Sequence, residues 1–274
     1  MLSDRDYKQF ARLIYDRTGV WFEENKRTFL WRRIQERIGA LGLSGINEYF
    51  NLLYSGRSEK EWQSFIDCIT INETYFFRDF PQLAAFAEQV LPQVAKAKEG
   101  RGDFRLRLWS AGCASGEEPY TLAIILREML PRPPAWNIEI LATDINSRVL
   151  SQARRAVYDS RSVRDVPPEY LERYFVLTPQ GYALKAEIKK MVDFFHLNLF
   201  DGQAAAELKD FDFIFCRNVL IYFDDASRQR VVETFYRALR SGGYIFLGHS
   251  ESVGRISGKF KMSRLDGHIV YYKP

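Results

Sequence analysis

Apolar positions recur with two different periods along this chain, and the change of period divides it. Up to about residue 70 the spacing is helical. Phe10, Leu13 and Ile14 follow the charged opening Asp4-Arg5-Asp6, and Thr18-Gly19 reads as a stop. Residues 24–41 form a second periodic segment ended by Gly42, with Leu30, Ile34, Ile38 and Leu41 on one face and Trp31 beside it. Residues 44–54 and 58–70 give two more segments, with Ser44 and Ser58 as expected N-caps. The pattern predicts a helical bundle over 1–70.

From residue 104 short apolar runs alternate with helical stretches. FRLRLWSAG, NIEILATD, FDFIFCRN and YIFLGHS read as strands. EEPYTLAIILREML, NSRVLSQARRAVY and SRQRVVETFYRALRSGG read as the intervening helices, with Pro119 in a first turn and Asn146 or Ser147 as a cap. HIVYYKP reads as a last strand. This alternation predicts an α/β domain built from βαβ units around a parallel sheet. Residues 157–190 break the rhythm. YFVLT and GYALK flank Pro179-Gln180-Gly181 as an antiparallel hairpin, so a small β insertion is expected there, followed by a strand in MVDFFHLNL.

Composition narrows the class. A formal charge of +4 is too mild to argue for nucleic acid alone. Cys68, Cys113 and Cys216 are sparse and fall in no metal-ligand spacing, which fits a reducing compartment and predicts no metal. No run approaches the ~20 apolar residues of a membrane span, and the opening residues carry no signal-peptide pattern. A cytoplasmic protein without membrane insertion is expected.

The candidate chemistry lies at the carboxyl ends of the strands, where open α/β sheets bind ligands. The first strand ends in Ala111-Gly112-Cys113-Ala114-Ser115-Gly116-Glu117-Glu118-Pro119, and the second ends at Asp144, placed to meet a ribose diol. The loop matches neither GxGxxG nor a Walker A sequence, so a nucleoside without phosphates fits better than a dinucleotide. Arg217 and Asn218 follow the FDFIFC strand at the same end. Read alone, the glycines are turn residues and Asp144 a helix cap as readily as a ligand site.

Five segments in this order resemble the chemotaxis-receptor glutamate O-methyltransferase (CheR) family: INETYFFR at 71–78, WSAGCASGEEPY at 109–120, ATDI at 142–145, CRNVLIYF at 216–223 and GHSES at 248–252. The resemblance covers essentially the whole chain. It implies a Rossmann-like S-adenosylmethionine-dependent methyltransferase sheet, at about 81–274, joined through a linker at 71–80 to the helical N-terminal domain. It implies cofactor contacts from Asn72, Thr74 and Arg78 in the linker. Glu117, taken in preference to its neighbour Glu118, is expected at the amino group, Asp144 at the ribose, and Asn198 and Leu199 at the adenine. Arg217 and Asn218 are expected to complete the pocket.

The implied reaction carries the methyl group of S-adenosylmethionine to a glutamate carboxylate on a chemoreceptor, leaving S-adenosylhomocysteine. A carboxylate is ionised at neutral pH, so alignment and water exclusion suffice without a general base. Arg78 and Tyr222 are the expected catalytic residues. Lys26, Arg33 and Arg37 share a helical stripe and are expected to face the acidic, helical methylation region of the receptor's cytoplasmic domain, while Arg32 and Glu36 are expected to pair. In some members of the family the β insertion holds a receptor C-terminal peptide; no residue pattern here settles that. His249 and Ser250, read as neighbours in a strand, would point to opposite faces and so form no nucleophile pair. A nucleic-acid or small-molecule methyltransferase, a non-catalytic adaptor and a dehydrogenase are the alternative readings. A monomer is expected, with no nucleic-acid partner.

Overall fold

A computed structural model describes residues 2–132, 135–254, 256–265 and 267–274. Four helices come first: α1 Asp4–Thr18, α2 Arg27–Leu41, α3 Ile46–Tyr54 and α4 Glu59–Ile69, with a 3₁₀ turn Glu24–Lys26 leading into α2. Their apolar faces, from Phe10 and Ile14 through Leu30, Ile34, Tyr49 and Phe65, close on one another as a separate buried cluster. Ser3 caps α1 by accepting the Asp6 N–H at 3.1 Å, and Ser58 caps α4 through the Glu61 N–H. Ser44 does not cap α3. Gly45 holds that position, and Ser44 instead donates its backbone N–H and its hydroxyl to Glu48, which reaches back from the first turn.

Residues 80–99, which carry no clear signal in the sequence, are helical: α5 Phe80–Ala85, a π-turn Phe86–Val90 and α6 Leu91–Glu99. Pro92 explains the break. It has no N–H for the carbonyl one turn earlier, and the wider turn before it absorbs the mismatch.

The main sheet holds β1 Arg105–Ala111, β2 Asn137–Asp144, β6 Val192–His196, β7 Phe211–Cys216, β8 Leu239–Leu247, β9 Lys261–Leu265 and β10 His268–Tyr272. Their order is β6-β2-β1-β7-β8-β10-β9. The first five are parallel, while β10 runs antiparallel to both β8 and β9. Connecting helices are α7 Glu117–Met129, α8 Ser147–Arg155 and α11 Asp225–Ala238.

Strand alternation splits the sheet's residues between two cores. Leu106, Leu108, Phe213, Phe215 and Phe246 face α7, α8 and the 80–99 helices. Trp109, Ala111, Ile214, Cys216 and Ile245 face α11. The expected hairpin is present as β4 Phe175–Thr178 and β5 Gly181–Leu184. With β3 Val157–Tyr158 it forms a three-stranded sheet flanked by α9 Pro168–Tyr174 and α10 Ala186–Lys189. No helix of the described residues is long and apolar enough to cross a membrane.

The helical bundle is tied to the sheet domain by polar contacts. Asp67 of α4 accepts both the backbone N–H (2.8 Å) and the hydroxyl (2.6 Å) of Ser147 at the start of α8. Val20 bridges antiparallel to Phe223, and the Trp21 N–H donates to the Tyr222 carbonyl at 2.8 Å.

Candidate active site

The carboxyl ends of β1, β2 and β7 meet the segment after α1 and the linker after α4 around a cavity of about 300 Å³. Its floor is the turn after β1. Gly112 sits at φ +83°, and a Cβ there would lie 2.4 Å from Val219 Cγ2, so only glycine lets the β1 and β7 loops approach this closely. Gly116, at φ +95°, caps α7, and its Cβ would meet Ala153 at 2.9 Å. Between them the Ala114 N–H donates to Asp144 Oδ2 at 2.9 Å. Asp144 also accepts the Asn146 N–H at 2.9 Å, while Asn146 caps α8. Asp144 thus orders both loops and still borders the cavity.

Glu117 is not part of the cavity wall. It is buried and accepts the hydroxyls of Ser115 (2.8 Å) and Ser162 (3.0 Å), which ties α7 to the segment before α9. Glu118 lines the cavity in its place. Successive helical residues point about 100° apart, and a sequence motif fixes the pair without fixing which of the two faces inward. Glu118 accepts the Ser110 hydroxyl at 2.7 Å and lies 3.4 Å from Arg217 Nη1. Burial pushes its carboxyl above the usual carboxylate range, with Arg217 opposing the shift, and burial likewise raises Asp144.

The linker is pinned by aromatic anchors. Phe76 packs edge-on against Tyr158 and Phe175, and the Phe77 N–H donates to the Thr121 hydroxyl at 3.1 Å. That fixes Asn72, Thr74 and Arg78 along the cavity wall. The Arg78 guanidinium donates to the Glu73 carbonyl at 2.8 Å, and the Arg78 carbonyl accepts from Arg217 at 2.6 Å. Arg217 Nε is buried without a hydrogen-bond partner among the described residues.

Asn198, Leu199, Asn218 and Tyr222 also border the cavity. Asn198 uses its amide to reach the Arg17 carbonyl of α1 at 2.7 Å, so it ties the sheet domain to the helical bundle as well as forming wall. Asn218 adopts φ +60°. Tyr222 is half-buried, and burial raises its hydroxyl above the usual range. Thr18, Trp21, Phe22 and Phe29 form a wall that periodicity alone did not reveal. The only trace in the sequence is the Val20-Trp21-Phe22 cluster directly after a helix stop.

The expected basic stripe is not one continuous charged surface. Arg37 forms a two-point ion pair with buried Glu61, at 2.9 and 2.6 Å, and Tyr49 donates to the same carboxylate at 2.8 Å. Arg33, not Arg32, pairs with Glu36, at 2.9 Å, and its guanidinium lies over Phe29. Lys26 sits in the 3₁₀ turn before α2, borders the cavity and lies 5.6 Å from the Tyr222 ring. Lys26 and Arg78 are in no ion pair among the described residues. His249 and Ser250 lie in a turn after β8, not within a strand, and are exposed.

Comparison with known proteins decides the family. The family described as "CheR methyltransferase, SAM binding domain" matches residues 72–269, and "CheR methyltransferase, all-alpha domain" matches 5–70. The chain belongs to the CheR methyltransferase family. A similar relative is Chemotaxis protein methyltransferase 2 of Vibrio cholerae, 40% identical over all of this chain and 94% of its own length. The Chemotaxis protein methyltransferase of Escherichia coli is 34% identical over 98% of this chain and 91% of its own. That of Borreliella burgdorferi is 33% identical over 92% and 89%.

The CheR cavity fits S-adenosylmethionine on its own chemistry. Glu118 and Asp144 offer carboxylates to an ammonium and a diol, the glycine turn leaves room against the backbone, and Leu199 and Ile145 add apolar wall. Among the described residues no cluster of acidic, His or Cys side chains could hold a metal ion.

Proposed function

We propose that this CheR methyltransferase esterifies glutamate side chains on the acidic, helical cytoplasmic region of chemoreceptors, with S-adenosylmethionine as methyl donor and S-adenosylhomocysteine as product. One observation carries the choice of acceptor. On the β1–β2 side the cavity wall carries Glu118 and Asp144, with Arg217 against Glu118. On the Tyr222 side it carries Lys26 and Arg78, in no ion pair among the described residues, with the Glu73 carboxylate, so the first side is net negative and the second net positive. A cationic donor and an anionic acceptor suit those two sides respectively.

When bound, S-adenosylmethionine supplies an electrophilic methyl group on a positively charged sulfur. The protein's part is to hold and align. Glu118 would take the amino group of the donor, Asp144 the ribose, with Asn72, Thr74, Arg217 and Asn218 closing the pocket and Asn198 and Leu199 beside the base. Arg78 and Lys26 would steer the incoming carboxylate and fix one of its oxygens, leaving the other free to attack. Tyr222 would donate its hydroxyl beside the reacting atoms. Arg33, next to the Phe29 wall, would extend the cationic surface toward an acidic helix, while Arg37 is held by Glu61. On this reading the protein would act in the cytoplasm, where the receptor's methylated region lies.

The test is transfer of labelled methyl to receptor cytoplasmic fragments, followed by release of the label in mild base. Arg78→Ala is expected to cut kcat/KM for the acceptor roughly tenfold to a hundredfold, the range of a charge-assisted hydrogen bond. Lys26→Ala should raise acceptor KM severalfold, about 1 kcal/mol, with affinity for S-adenosylhomocysteine unchanged. Base-stable label, or label on nucleic acid instead of receptor, would sink the reading.

A further inference from the structure

The segment Gly248–Ser252 follows β8, and neither histidine nor serine in it reaches the cavity wall. Its glutamate does something else. Glu251 Oε2 accepts the N–H of Asn218 at 2.8 Å and of Gly248 at 2.7 Å, and Oε1 accepts the N–H of Ile221 at 3.3 Å. The Glu251 N–H donates to the Gly248 carbonyl at 2.9 Å, so the carboxylate is folded back over its own turn. One side chain thus joins the end of β8 to the loop after β7.

That loop carries the polar groups of the cavity's acceptor side. Asn218 stands at φ +60°, a left-handed conformation that asparagine adopts more readily than most non-glycine residues. Leu220–Tyr222 form a short 3₁₀ turn, and from the other side the Trp21 N–H binds the Tyr222 carbonyl. Gly248 is required by the same geometry. A Cβ there would lie 2.7 Å from Glu251 Oε2, 2.8 Å from the Asn218 nitrogen and 3.0 Å from its side-chain amide.

We propose that Glu251 is a positioning residue for methyl transfer, clasping the 218–221 backbone so that Asn218 and Tyr222 are held at the cavity. It touches neither substrate; it acts through those two residues. The catalytic arm of the test rests on the glutamyl-transfer reading, and the structural arm does not.

The structural arm is hydrogen–deuterium exchange over residues 217–223 in the ligand-free protein. Glu251→Ala should speed exchange of the Asn218 and Ile221 amides at least roughly fivefold, the equivalent of one net hydrogen bond. In the catalytic arm, kcat per folded molecule should fall by about 10²-fold, the scale of a ~1 Å misplacement. The double variant Glu251→Ala/Tyr222→Phe should lose no more than Glu251→Ala alone. Glu251→Gln, which keeps one acceptor oxygen, should fall between, and Gly248→Ala should act in the same direction; these two carry the test if Glu251→Ala does not fold. Ser252→Ala, whose hydroxyl meets Tyr271, should behave as the parent throughout. Unchanged exchange in Glu251→Ala overturns the clasp. Faster exchange with parental kcat, or losses that multiply in the double variant, overturns its role in positioning. If the parent itself forms no ester, only the glutamyl reading fails, and the exchange result stands.

Discussion

Two ends of one sheet handle buried acid in opposite ways. At the amino-terminal end, Asp212 of β7 is about 1% exposed and surrounded by donors. Lys98 reaches it at 3.0 Å, the Arg107 N–H at 2.9 Å, and Arg240 pairs with it as well. At the carboxyl end, Asp144 is held by backbone N–H groups, those of Ala114 and Asn146 among them, and is in no ion pair among the described residues. Glu118 has one serine hydroxyl and a long contact to Arg217. Charge that is fully matched stays put and serves the fold. Burial raises the less completely matched carboxyls of Glu118 and Asp144, and a cation or hydroxyl on a ligand would complete them.

The largest effect expected from breaking this contrast is at the matched end. Asp212→Ala leaves buried Lys98 with Asp103 as its remaining carboxylate and removes the partner of part-exposed Arg240, and should lower stability in denaturant titration by roughly 3 kcal/mol. Its remaining folded fraction should bind S-adenosylhomocysteine as the parent does; weakened binding would mean the two ends are not independent.

A smaller effect is expected at the unmatched end. Glu118→Gln should weaken S-adenosylhomocysteine binding by calorimetry about tenfold to a hundredfold, the range of a hydrogen bond to a charged group. Glu117→Gln should leave affinity unchanged and alter stability instead. The reverse result would restore Glu117 as the ligand-facing acid.

The pH response is the mildest probe. Burial holds Glu118 and Asp144 protonated to a higher pH than an exposed carboxyl. Protonation removes the negative charge that a donor's ammonium would meet. Affinity should therefore fall as pH drops through a window above the ordinary ~4.3 of a glutamate, with proton release on binding inside that window. An affinity flat down to about pH 4.5 would show that these acids are not part of the binding charge.

The sequence made much of this legible because period is local. The alternation after residue 104, the glycine turn at 112–116, Asp144 at the end of β2 and the hairpin around Gly181 are each written in a few neighbouring residues. What stayed hidden depends on distant partners. Nothing beside Arg37 in the sequence announces Glu61, and nothing beside Val20 announces Phe223. β9 is short and half polar and takes its place by pairing along β10, and the helix over 80–99 is masked by its prolines. The choice between Glu117 and Glu118 turns on one step of helix rotation, which a pair of identical letters does not record.

The short pairing of Val20 and Trp21 with Phe223 and Tyr222 has a consequence for how such enzymes can diversify. Because the chamber is a seam and both halves furnish it, exchanging residues 1–70 between relatives would trade away part of the wall around the donor along with any surface that greets the acceptor. The two specificities must then be inherited as a unit, and a chimera that keeps only one half should lose grip on both molecules together.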